Sequence, residues 1–285
     1  MASLKTGLPN SWASGSIWGM TGRVQVVTFI GAGGKTTCLR SITQEIDAAG
    51  QRVVATTTTK VFPEESMKGW KNPNPPPYEQ EGACFWYVDV MEGNGKWIGP
   101  PLKAVDDAIF EDFSLVKKKG IQPGVHGEIT RGALGSSKRF WVIEGDGARG
   151  LKIKCRWEPH EPQIPRQSDC VVLVLDGGLW GKVLQTEQVH RPAGCLDLLG
   201  HVWNAEKAWR YFLRSPVFAP QYGQMSWVIL LNAKAFRDSG KPLLELNHRW
   251  TEIQREIIEL KYRPNHLRLA AGDAKEGKLQ WFDLW

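Results

Sequence analysis

Within seven residues, Gly31-Ala32-Gly33-Gly34-Lys35-Thr36-Thr37 collects the groups that phosphate chemistry needs. Glycines let backbone N–H groups close around phosphate oxygens. A helix starting at this point adds its partial positive charge, Lys35 adds a full one, and Thr36 offers a hydroxyl to Mg²⁺. The string departs from G-x-x-x-x-G-K-[ST] at its first glycine, where Phe29 stands, so it reads as a deviant P-loop, shorter or differently shaped. A dinucleotide fingerprint fits less well, because it wants glycine at Thr36 and an acid directly after the next strand. A plain Gly-rich turn would not call for the Lys-Thr-Thr that follows. The expected ligand is ATP or GTP with Mg²⁺.

Two other stretches carry suitable groups. Thr56-Thr57-Thr58-Thr59-Lys60 ends a strand in hydroxyls and a cation, suited to phosphate or to metal-bound water; the plainer reading is β-branched strand residues beside a solvated lysine. In FWVIEGDGARG, from Phe140 to Gly150, an apolar strand delivers Glu144 and Asp146 among glycines. Carboxylates there can hold Mg²⁺ directly or through water, or orient an attacking water, whereas an acidic turn would only cap the next segment. Lys35, Glu144 and Asp146 are therefore the catalytic candidates, and Thr36, Glu144 and Asp146 the metal candidates.

These groups need a sheet to bring them together. Val24 to Ile30 reads as a buried strand, Lys35 to Ala49 as a helix with Leu39, Ile42, Ile46 and Ala49 on one face and Gly50 as its cap, and Arg52 to Thr57 as a second strand. The three make a right-handed βαβ unit with parallel strands. Further strands are expected at Cys84 to Val90, Phe140 to Glu144, Cys170 to Asp176 and Trp227 to Asn232, and helices at Asp197 to Arg214 and Pro242 to Lys261. Pro63 to Gln80, with four prolines after Asn72, is expected to be a surface loop. The fold class that follows is α/β: a mostly parallel sheet flanked by helices in three P-loop NTPase-like layers. Residues 1–22 read as an irregular extension, and 23–285 as one domain with a helical C-terminal part.

Composition narrows the partners. Net charge is +6 from 36 basic and 30 acidic residues, but Lys117-Lys118-Lys119 is the only basic run and reads as a solvated helix end, so nucleic acid is not an expected partner. The 14 tryptophans have no fixed spacing and read as packing residues. No apolar run is long enough to cross a bilayer and Met1 to Met20 lacks the core of a secretory signal, which makes a cytoplasmic location the expectation. Five cysteines without a C-x-x-C pair argue against a zinc knuckle and are expected to be reduced.

In order from about residue 24 to 232 stand FIGAGGKTT, VVATTTTKVFP, VIEGDGARGLKIK followed by EPHEPQIP, VVLVLDGG, and VHRP at Val189 to Pro192. Together they resemble the YqeC family of accessory proteins of selenium-dependent molybdenum hydroxylases. The resemblance implies a P-loop nucleotide-binding protein tied to maturation of a selenium-containing molybdenum cofactor, with the hydroxylase or its cofactor as partner. Carried onto this sequence, it points to Gly31, Gly33, Gly34, Lys35 and Thr36, to Thr58 and Lys60, to Glu144, Asp146 and Arg149, and to His160, Glu161, His190 and Arg191. The sequence departs from the family at Asn232-Ala233-Lys234-Ala235, which lacks the Asp that would read guanine, so base choice stays open. The expected function is Mg²⁺-dependent triphosphate binding with hydrolysis. A small-molecule kinase and a nucleotide-binding switch without turnover are the alternatives.

Overall fold

The computed structural model describes residues 12–118, 138–234, 240–257 and 263–285. Ten strands form its main sheet: β1 (Ala13–Gly15), β2 (Val26–Gly31), β3 (Arg52–Thr57), β4 (Lys68–Lys71), β5 (Ala83–Tyr87), β6 (Arg139–Glu144), β7 (Cys170–Asp176), β8 (Ser226–Asn232), β9 (His266–Asp273) and β10 (Lys278–Asp283). Across the sheet they lie in the order β1-β10-β9-β8-β7-β2-β6-β3-β5-β4. From β9 to β4 every pairing is parallel, and β10 is antiparallel to both its neighbours. The helices are α1 (Ile17–Met20), α2 (Lys35–Ala48), α3 (Leu102–Lys118), α4 (Ala205–Arg214) and α5 (Gly240–Ile257).

β2 shows why the protein has three layers. It is buried along its whole length, so both faces of the strand must be covered. Val27 and Phe29 pack with Ile17, Met20, Leu39 and Ile42 of α1 and α2. Ile30 shares a cluster with Trp209 and Phe212 of α4 and Leu243 of α5, while Val26 joins Val105 and Ile109 of α3. Helices thus cover both faces of a mostly parallel sheet, as expected. α2 ends as expected too: Gly50 takes a φ of 71° and Gln51 N donates to Ile46 O at 3.2 Å, the closing bond of a Schellman turn. Trp86, Trp141, Trp203, Trp209 and Trp227 are fully buried, in keeping with tryptophan as packing residues.

Other expectations are corrected. Of the extension expected at 1–22, the described part is ordered: Ala13–Gly15 pairs with β10, and α1 packs against α2 through Ile17 and Met20. The C-terminal part is not purely helical. The Leu- and Ala-rich run of β9 has helix-forming composition, but it is a buried strand paired on both sides, so tertiary contact overrides propensity. Helix α4 begins at Ala205 rather than Asp197, because Asn204 accepts a bond from Lys207 N and caps it there. The Pro63 to Gln80 segment holds an outermost strand, Lys68–Lys71, ahead of the four prolines after Asn72, and of α3 only its basic end was foreseen. The basic run falls at the end of α3, with Lys119 outside the described residues. Cys155 and Cys195 form a disulfide, against the expectation of thiols; a separation of 40 residues leaves no short-range signature in the sequence. Cys38, Cys84 and Cys170 are free and buried.

Candidate functional site

From β2 the chain crosses through α2 to β3 on one side, while β7 pairs with β2 on the other. Such a reversal opens a crevice at the carboxyl ends of the strands. The register brings the chemistry to that edge. Gly31 lies opposite Val174, Glu144 opposite both Phe29 and Thr57, and Asp176 opposite Asn232. Phe29 is itself core, packed with Leu39 and Ile42, and the turn begins only at Gly31. That explains why the first glycine of the common motif is missing.

The loop needs its glycines. Gly31, Gly33 and Gly34 have φ of 93°, 77° and 110°, and a Cβ on Gly33 would lie 2.1 Å from Asp176 N. Three loop N–H groups are bonded within the protein: Gly31 to the Asp146 carboxylate at 3.0 and 3.1 Å, Ala32 to Val174 O at 2.9 Å, and Gly33 to Leu151 O at 3.1 Å. Donors for an anion must therefore come from the first turn of α2, Gly34 to Thr37, where N–H groups lack partners within the helix.

Behind that turn runs a row of alternating charges. Lys35 Nζ donates to Gly31 O at 2.7 Å and lies 3.8 Å from Glu144 and 3.4 Å from Asp146. Asp146 pairs with Lys154 at 3.2 Å, Lys154 with Glu161 at 3.0 Å, Glu161 with Arg191 at 2.5 Å, and Arg191 with Glu158 at 3.3 Å. Asp146 and Lys154 are fully buried. Burial opposes the Lys35 ammonium, but Asp146 and Glu144 outweigh it and hold its pKa above the usual lysine value. For Glu144 burial wins: Lys35 and the 2.9 Å bond from the Thr36 hydroxyl offset it only in part, and its pKa is raised. Trp157 Nε1 donates to Asp146 at 2.9 Å, so all bonds to that carboxylate come from within the protein.

The remaining expected residues divide into two groups. Thr58 N and its hydroxyl bond the Glu144 carbonyl, at 3.1 and 3.4 Å, which fixes the backbone behind the carboxylate. Thr58 also lines a cleft of about 900 Å³ with Lys60, Arg149, His160 and Glu161. Arg191 belongs to the charge row through Glu161 and Glu158, and His190 lies beside it. Burial, with Lys154, Arg191 and Arg149 nearby, holds His190 below the usual histidine pKa, so the ring is neutral near pH 7. Sequence reasoning missed Lys154, Trp157 and the role of Asn232. Lys154 sits in a two-residue strand (Ile153–Lys154), too short for periodicity to show that it points inward. Asn232 donates to Gly33 O at 3.2 Å and accepts from Ala274 N at 3.1 Å, tying the loop to the residue that follows β9. Ala235, where the guanine-reading Asp of the family would stand, and Asp238, the next acid along the chain, lie outside the described residues.

A model of the YqeC protein family matches residues 27–193, a span that holds the phosphate loop, both carboxylates and the whole charge row. The chain belongs to the YqeC family. It is 30% identical over 185 residues to the Uncharacterized protein YqeC of Escherichia coli (strain K12), a match covering 62% of this chain. The chain spans about 62% of the length of that YqeC relative. No solved structure matches the chain. The family match ends before β8, so Asn232 and everything after it stand outside the shared part. Among the described residues, no helix is long and apolar enough to cross a membrane.

Proposed function

We propose that this protein binds a nucleoside triphosphate with Mg²⁺ and hydrolyses it, serving as a cytoplasmic accessory factor in maturation of a selenium-dependent molybdenum hydroxylase. One observation carries the nucleotide reading. At the crevice edge of a parallel sheet, Lys35 and Thr36 occupy the first turn of α2 with Glu144 against both. Phosphate oxygens would lie on the N–H groups of Gly34 to Thr37, and Lys35 would exchange Gly31 O for a phosphate oxygen. Thr36 and Glu144 would hold Mg²⁺. An ion with one hydroxyl and one carboxylate needs phosphate oxygens and water to complete its six positions, so metal and nucleotide would bind together. Asp146, with no exposed oxygen, would hold Lys35 and the Gly31 N–H in place. The link to a molybdenum hydroxylase rests on the family resemblance alone.

The test is Lys35→Ala. Removing a charge set among phosphate oxygens costs roughly 1.5–3 kcal/mol, about ten- to a hundredfold in affinity by titration calorimetry. A folded variant that bound ATP and GTP as tightly as the parent would end the reading. A second reading, a small-molecule kinase, is favoured by the cleft beside Thr58, which is large enough for an acceptor. Following γ-labelled nucleotide into inorganic phosphate or into an organic product separates the two.

A further inference from the structure

The cleft has a chemistry of its own. Lys60, Lys96 and Arg149 contribute three cations to its lining. The one acid there, Glu161, is already paired with Lys154 at 3.0 Å and Arg191 at 2.5 Å. Among the described residues, none of the three cations forms an ion pair; Lys96 rests over the Phe62 ring at 4.5 Å. Uncompensated cations on one concave surface repel one another and are relieved by an anion. The wall from Ile98 to Leu102 is apolar and stiffened by Pro100 and Pro101. It is also fixed to the sheet: Gly99 N donates to Thr59 O at 3.0 Å, and Gly99 sits so close to Thr57 O that a Cβ there would approach to 1.5 Å. A wall built this way loses little freedom when a ligand lies along it.

We propose that this cleft binds a second substrate, a phosphomonoester of up to nucleotide size, with its phosphate among Lys60, Lys96 and Arg149 and its apolar body along Ile98 to Leu102. The volume of about 900 Å³ suits a ligand of that size. The cleft reaches the phosphate loop by two short routes: Thr58 bonds the Glu144 backbone, and Glu161 leads through Lys154 to Asp146. Only the term second substrate rests on the nucleotide reading; the ligand class does not.

The experiment is a calorimetric titration of the full chain with 1-naphthyl phosphate, with 1-naphthoate and 1-naphthol as controls, run with and without saturating Mg²⁺ and a non-hydrolysable ATP analogue. The expected result is saturable binding of 1-naphthyl phosphate in both conditions, with 1-naphthoate weaker and 1-naphthol weaker still. Lys96→Ala, and Arg149→Asn, which tolerates the left-handed backbone at φ 52°, should each weaken it roughly tenfold. Lys96→Ala should leave binding of the ATP analogue unchanged, and Lys35→Ala should leave probe binding unchanged. Displacement of the probe by the analogue, loss of the probe in Lys35→Ala alone, or no preference for the phosphate over the alcohol would each overturn the proposal. Failure of the analogue to bind, with the probe still held in the cleft, would refute the nucleotide reading and leave this inference standing.

Discussion

Burial disfavours the charged form of Glu144 more strongly than Lys35 and Thr36 favour it. A carboxylate whose folded pKa is raised contributes stability that is fully present below its ordinary value and lost as pH rises through the raised one. Without nucleotide, Glu144→Gln should therefore melt higher than the parent near neutral pH, and the gap should shrink as pH falls through the raised pKa and be gone once pH is below about 4.5. Melting curves for both proteins across that range decide it; a gap independent of pH would mean that Glu144 titrates normally. With Mg²⁺ and nucleotide the order should reverse, because an amide cannot replace the carboxylate at the metal. Lys154 gives a sharper outcome. Lys154→Met leaves Asp146 and Glu161 without their shared cation and should cost about 3–5 kcal/mol, a fall in melting temperature on the order of 10 °C. The cost should be partly recovered when Asp146→Asn is added, the coupling that a double-mutant cycle measures.

At the scale of elements, β2, α2 and β3 were legible because periodicity, Gly50 and the apolar run agreed with one another. β9 was not, since its Leu and Ala residues favour a helix until a neighbouring strand on each side decides otherwise. The turn between β2 and α2 should tolerate no side chain at Gly33. Gly33→Ala combines a left-handed backbone with a backbone clash, so a loss of more than about 2 kcal/mol and of nucleotide affinity is expected, read by denaturant titration and calorimetry. Another element was invisible because its ends are far apart in sequence. The Cys155–Cys195 bridge closes a 40-residue separation and should contribute about 4 kcal/mol through the unfolded chain. Alkylation of the denatured, unreduced protein should label three thiols and dithiothreitol should expose all five, with a lower melting temperature after reduction. Five labelled thiols before reduction would show that the bridge does not form. The same count bears on location, since a reducing cytoplasm keeps most cysteine pairs open.

For the molecule as a whole, the sheet order explains why so much of the site could be read in advance. Glu144 was separated from Thr36 by more than a hundred residues, but an apolar strand ending in an acid belongs at the carboxyl edge of a parallel sheet, where the loop also opens. The same rule puts Asn232 at that edge, at the end of β8, but does not show its bonds to Gly33 and Ala274, and no comparable rule covers Lys154, which follows an irregular segment. Asn232 is occupied by Gly33 and Ala274, so it is not available to read a base. ATP and GTP should accordingly bind within about a hundredfold of each other in a competition titration. A larger preference would place base recognition elsewhere, for instance at Asp238.

The row from Glu144 through Lys35, Asp146, Lys154, Glu161 and Arg191 to Glu158 also constrains how this protein can change over generations. Every interior member answers to two neighbours of opposite sign, so a lone replacement strands a charge, and the deeper the member the worse the loss. Such a row is inherited as a block. A lineage can leave it only by exchanging neighbours together, and the buried couple Asp146 and Lys154 would be the last to go. Among relatives, those two positions should be kept as a pair or replaced as a pair, while the half-exposed Glu158 drifts.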